Sequence, residues 1–209
     1  MSVRIFVEGG SQGSTKAGCR QAFRTFFEKV IPPGSFKVIA SGSRGAAFKD
    51  FCLALKQDHG DYIILLVDSE EAVAVSPWQH LAERKGDEWH RPAGARDDQA
   101  HLMVQVMEAW FLADQQALAD YYGQGFQTGS LPRQRNIELI SKADVFKALQ
   151  QASKNTKTKG VYHKTRHGFD LLERIDPSLV RVASAHAERL VTVLLRETAA
   201  LRSSAEPAD

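Results

Sequence analysis

Tyr62-Ile-Ile-Leu-Leu-Val67 is the longest apolar run in the chain, and no polar residue interrupts it. It is far shorter than the roughly 18 apolar residues that a membrane helix needs. It is also too uniform for a strand with one wet face, which would alternate. A short unbroken apolar run is what a strand covered on both sides looks like. Such a strand requires elements above and below it, so the neighbouring sequence must supply helices for two layers.

The preceding residues supply them. Val3-Arg-Ile-Phe-Val7 reads as a strand ending at Glu8-Gly9-Gly10. Thr15 to Val30 reads as a helix, with Ala22, Phe23, Phe26, Phe27 and Val30 at helical spacing, Ser14 or Thr15 as its cap and Pro32-Pro33-Gly34 as its stop. Phe36 to Ala40 is a second strand. A helix from about Gly45 then buries Ala47, Phe48, Phe51 and Leu55, and a turn over 58–61 leads into the apolar run. Strand and helix in strict alternation with short links predict an α/β fold with a mainly parallel sheet.

Residues 71–99 form a long connection holding Pro77, Trp78, Trp89 and Pro92, of the length that functional insertions have. His101 to Met107 reads as a fourth strand, with a helix from Glu108 onward; one continuous helix over this stretch is the alternative. Helices are expected over about 136–152, 165–174, from Pro177, and to about Leu201. The organisation expected is an α/β core over 1–122 with its insertion at 71–99, a helical basic subdomain over 123–202, and a disordered tail over 203–209.

Charge is more informative by position than in total. The net charge is only +2, and residues 1–100 balance to zero. Residues 133–166 carry nine Lys and Arg against Glu138 and Asp144, a plausible footprint for a polyanion or, alternatively, a solvated face. Two cysteines, Cys19 and Cys52, make neither a disulfide framework nor a zinc site, and both read as packing residues. The start of the chain lacks the apolar stretch of a secretory signal, so a cytoplasmic protein with reduced thiols is expected.

Glu8 closes the first strand; Asp68 and Glu70 follow the third. Open parallel sheets build their sites beyond the carboxyl ends of the strands. Residues two apart project to one side for as long as strand conformation lasts. Three carboxylates on one rim repel one another unless a cation or a proton intervenes. All-oxygen ligands suit Mg²⁺, Mn²⁺ or Ca²⁺. The competing reading is that Asp68-Ser69 caps the following segment. Gly9-Gly10-Ser11-Gln12-Gly13-Ser14-Thr15 lacks the spacing of a nucleotide loop; its glycines let backbone approach closely.

Val7-Glu8-Gly9 after a first strand and Leu66-Val67-Asp68-Ser69-Glu70 after a third resemble the Toprim arrangement of topoisomerases, primases and overcoming-lysogenization-defect nucleases. There a later strand ends in Asp-x-Asp; here Glu70 stands at the second position. Over roughly 3–198 a composite set of segments is similar to a bacterial Toprim-like family of unknown function: 7–10, Gly-Ser-Arg-Gly over 42–45, 67–70, Pro-Trp-Gln-His-Leu over 77–81, Met-Glu-Ala-Trp-Phe-Leu-Ala-Asp over 107–114 and Tyr-His-Lys-Thr over 162–165. Such proteins resemble the nuclease subunits of anti-phage systems paired with an ATPase. The resemblance implies a Toprim-like Rossmannoid core of about four strands, Mg²⁺ (or Mn²⁺) as cofactor, and nucleic acid and an ATPase as partners.

The site expected from these readings comprises Glu8, Asp68 and Glu70 as metal ligands. Glu108, at the end of the fourth strand, is a fourth acid if that strand lies beside the first. Arg44, Lys157, Lys159, His163 and Lys164 are candidates for holding phosphate, while Asp114 reads as helix surface and Trp110 as core. The function expected is a metal-dependent nuclease. A non-catalytic interaction or sensor module and a small-nucleotide phosphatase are the alternatives, and a homo-oligomer fits any of them.

Overall fold

The structure is a computed structural model that describes residues 2–10, 13–57 and 60–203. Residues 58–59 of the expected turn, Ser11 and Gln12 of the glycine loop, the side chain of Ser14, and residues 204–209 of the expected tail lie outside the described residues.

Four strands form one all-parallel sheet: β1 (Val3–Glu8), β2 (Phe36–Gly42), β3 (Tyr62–Asp68) and β4 (Ala100–Met103), in the spatial order β2-β1-β3-β4. Every residue of β3 is buried, because alternate side chains enter two separate cores. Ile64 and Leu66 join Ile5 and Val7 against α1 (Gly13–Glu28) on one face. Ile63, Leu65 and Val67 join Phe6 against α2 (Arg44–Lys56) and α3 (Pro77–Glu83) on the other.

The C-terminal half is helical: α4 (Gln115–Tyr122), α5 (Lys142–Ser153), α6 (Lys164–Arg174), α7 (Pro177–Ala183) and α8 (Ala185–Ser203). Its buried side chains, among them Leu149, Leu171, Leu172 and Leu194, belong to the same core cluster as α1 and β1. α6 lies along α1, where Lys29 Nζ donates to the carbonyls of Glu173, Arg174 and Ile175 at 2.7–3.0 Å. These are the free carbonyls at the end of α6, the place where a cation is best received. No described helix is long and apolar enough to cross a membrane.

Several boundaries differ from expectation. α1 starts at Gly13, two residues before Thr15. The connection 71–99 contains α3, capped by Ser76, whose hydroxyl accepts from Gln79 N at 3.4 Å, with Pro77 in the first turn. α5 begins only at Lys142, where Ser141 accepts from Asp144 N. β4 ends at Met103 rather than 107 and lies beside β3, not β1. Its partner strand stops at Asp68, and the chain then turns through Glu70 at φ +68°. Residues Met107–Ala113 form a 3-10 turn that buries Trp110 against Phe26, ring centroids 5.2 Å apart. Asp114 is not surface: it is buried and accepts from Ala117 N and Asp176 N at 3.0 and 2.9 Å, capping α4 and tying it to the start of α7.

Candidate metal centre

The parallel pairing of β1 with β3 brings Glu8 and Asp68 to the same rim. Asp68 N–H donates to Glu8 Oε1 at 2.5 Å, and Asp68 Oδ1 accepts from Met107 N at 2.7 Å. Glu70 arrives by the left-handed turn rather than by strand alternation. One carboxylate oxygen from each of Glu8, Asp68 and Glu70 lies within 4.8 Å of the others. On the glycine side, Gly9 N donates to Gly42 O at 2.7 Å. Gly10, at φ +71°, lies so close to the start of α1 that a side chain there would meet Thr15 O and Lys16 Cα at 2.6 Å. That closeness brings the start of α1 to the acidic rim.

Burial governs the charge state of these acids. It pushes Glu8 up from its ordinary 4.5, against the opposing pull of the Asp68 N–H and Arg44. Asp68 is pushed well above 3.8, first by burial and then by the nearby Glu8 carboxylate. Such a pair is stable only with a cation or a shared proton close by. All-oxygen donors at this spacing fit Mg²⁺ or Mn²⁺, which typically take one or two carboxylates and leave other positions to water and phosphate.

Protein cations surround the cluster. Lys164, the first residue of α6, reaches in with Nζ 3.8 Å from Asp68 Oδ2 and 3.5 Å from Glu108 Oε1. Burial disfavours its charge, but Glu108, Asp68 and Glu8 together outweigh that and hold the ammonium above its usual range. Lys142 pairs closely with Glu70. The Arg44 guanidinium donates to the Asp68 carbonyl and stands 3.8 Å from Glu8 Oε1. Behind it Asp87 accepts from Arg44 Nε at 2.8 Å and from Nη2 at 2.5 Å, while the Trp89 ring lies 5.0 Å away.

Glu108 lies on the 3-10 turn, not at a strand end, and is fully buried. Tyr162 OH donates to its Oε1 at 3.1 Å, and its Oε2 has no partner among the described residues. Burial and Glu108 together raise Tyr162, keeping the phenol protonated as a donor. Glu108 meets the cluster through Lys164.

The family described as a domain of unknown function, DUF4276, matches residues 7–195. The chain belongs to the DUF4276 family. No curated protein and no solved structure matches it. The DUF4276 match runs from β1 into α8, so it takes in every residue of the acidic rim and its cations.

A cleft of about 320 Å³ opens at this rim, lined among others by Glu8, Arg44, Asp68, Glu70, Lys164 and Phe169. The other expected phosphate contacts of this DUF4276 chain stand apart from it. His163 is exposed, 3.0 Å from Thr165 Oγ1. Lys157 is exposed, and Lys159 places its Nζ 4.5 Å over the Tyr121 ring, in a different depression beside Glu173 and Arg174. Lys142, Asp87 and Tyr162 join the rim without a sequence signal of their own. Their separations from Glu70, Arg44 and Glu108 along the chain are 72, 43 and 54 residues, so no local spacing announces them.

Proposed function

We propose that this protein is a metal-dependent phosphodiesterase acting on nucleic acid, with a Toprim-like core. One observation carries the reading: the convergence of Glu8, Asp68 and Glu70 oxygens within 4.8 Å at the carboxyl end of a parallel sheet, with a lysine at their side. These three residues would hold one or two Mg²⁺ or Mn²⁺ ions. A divalent ion bound there supplies charge for polarising a phosphate and for stabilising a leaving oxygen. Lys164 would offer its ammonium to a phosphate oxygen beside the acids. Arg44, committed to Asp87 and to the Asp68 carbonyl, orients the rim and limits where Glu8 can swing. Glu108, oriented by Tyr162, holds Lys164 from behind. The composite sequence resemblance supports the finer reading of an effector subunit of an anti-phage system, working with an ATPase in the cytoplasm.

A second reading has its own observation. Arg44, Lys142 and Lys164 already neutralise the acids from within the chain. A cluster balanced in this way also suits a non-catalytic module that binds a partner or nucleic acid.

The two readings part on metal. With DNA, RNA and tRNA as substrates, cleavage that needs Mg²⁺ or Mn²⁺ and stops with EDTA is the outcome expected. Millimolar Mg²⁺ should raise the melting temperature of the wild type more than that of Asp68→Ala, because a ligand stabilises only the state that binds it. An Asp68→Ala chain that is destabilised equally with EDTA and with Mg²⁺, and no cleavage by the wild type, would select the second reading.

A further inference from the structure

The cleft at the acidic rim has two kinds of lining. Glu8, Asp68, Glu70 and Lys164 are charged; Met103, Met107 and Phe169 are apolar. Phe169 sits one turn and a half along α6 from Lys164 and is half-buried. Its ring lies 3.6 Å from where a side chain on Gly9 would begin and 3.7 Å from the same point on Gly18. The ring thus lies at ordinary packing distance from the loop and α1 while it still borders the cleft. Such a ring gains nothing from inorganic phosphate, which has no apolar face. It suits a ligand that is anionic at one end and flat and apolar at the other.

Size narrows the choice. A volume of about 320 Å³ is small for a ligand pocket and accommodates one nucleotide. A base that is still paired brings its partner strand with it, and must be unpaired to enter a pocket of this kind. Resting on the metal-dependent reading above, we propose that the cleft takes a single unpaired nucleotide, with its phosphate toward the acidic cluster and Lys164 and its base against Phe169. The specificity is for an unpaired base of any identity, since every base has a face that can stack.

The test is a set of binding titrations in Mg²⁺ with four probes: inorganic phosphate, thymidine 5′-monophosphate, a short 5′-phosphorylated oligothymidylate, and the same strand in a blunt duplex. The mononucleotide should bind about tenfold or more tightly than phosphate, the margin that base stacking on an aromatic ring provides. Phe169→Leu should erase that margin, and Phe169→Tyr should keep it. Both supporting outcomes for the third probe are informative: an oligothymidylate tighter than the mononucleotide assigns the site to a strand end, and equal affinity assigns it to free nucleotides. A duplex that binds as tightly as the single strand overturns the proposal. So does equal affinity of the wild type for phosphate and mononucleotide while Mg²⁺ still raises its melting temperature; that result leaves the metal centre standing. Absence of any Mg²⁺ effect on the wild type would overturn both.

Discussion

His101 is 1% exposed within β4, and both of its ring nitrogens are engaged. Nδ1 lies 3.2 Å from Arg189 Nη1, which can only donate, and Nε2 lies 2.9 Å from the Asp98 carbonyl, which can only accept. The ring is therefore neutral, with its proton on Nε2. Burial, reinforced by the Arg189 charge, pushes it from 6.5 down to about 3. Between those values the unfolded chain takes up a proton that the folded chain refuses, so stability must fall as pH falls from 6.5 toward 3. The slope from one such group is about 1.4 kcal/mol per pH unit. Urea unfolding of wild type and His101→Gln between pH 7 and pH 4 should give profiles that differ by roughly that slope, with the wild type the steeper. Parallel profiles would mean that His101 is protonated in the fold. Cys19 obeys the same physics: burial, with Glu8 nearby, raises its thiol to about 12, so it stays a neutral packing group against Gly9.

The connection between β3 and β4 folds into a bracket. α3 packs Trp78 and Leu81 onto the sheet, and His80 Nε2 lies 2.9 Å from the Ser69 carbonyl, bracing the turn that carries Glu70. Beyond α3, Asp87 and Trp89 grip Arg44, and Trp89 stacks on Phe48 at 4.4 Å. Asp87 is held below its ordinary 3.8: burial opposes its charge, but the Arg44 bonds and charge prevail. Asp87→Asn leaves Arg44 with only the Asp68 carbonyl and the more distant Glu8 carboxylate, so it should cost about 3 kcal/mol, the low end for a broken buried pair. Adding Arg44→Met should recover part of that loss, as a double-mutant cycle from denaturant unfolding would show. Strictly additive losses would refute the bracket. The strands and helices up to Asp68 were readable because their apolar periodicity is local and each is bounded by Gly, Pro or Ser. That Glu8 and Asp68 share one rim is legible for the same reason: they close those strands. α3 had a usable signal in Ser76-Pro77, outweighed by the length of the surrounding polar sequence. The early end of β4 depends on where β3 stops, and the cations at the rim depend on how distant elements pack; neither leaves a pattern within a window of residues.

Across the molecule, the basic residues of 133–166 are spread over separate places, with Arg133 and Arg135 lining a depression of their own. Lys142 and Lys164 serve the acidic rim, whereas Lys157 and Lys159 lie elsewhere, the latter over Tyr121. On the proposed nuclease reading, two lysines outside the cleft would meet the backbone of a longer nucleic acid. Lys157→Glu with Lys159→Glu should weaken oligonucleotide binding and lower its salt slope by about 2, while leaving mononucleotide binding unchanged. An unchanged slope would show that this loop is merely solvated. The clasp of Lys29 on the end of α6 has a consequence of another kind. During translation β1, β2 and β3 leave the ribosome first, carrying Glu8 and Asp68, with the face of α1 that receives Phe169 still bare. Lys164 follows only with α6, the helix whose last carbonyls receive Lys29. A chain stopped before α6 carries Glu8 and Asp68 without Lys164, the ammonium that lies beside Asp68 and Glu108.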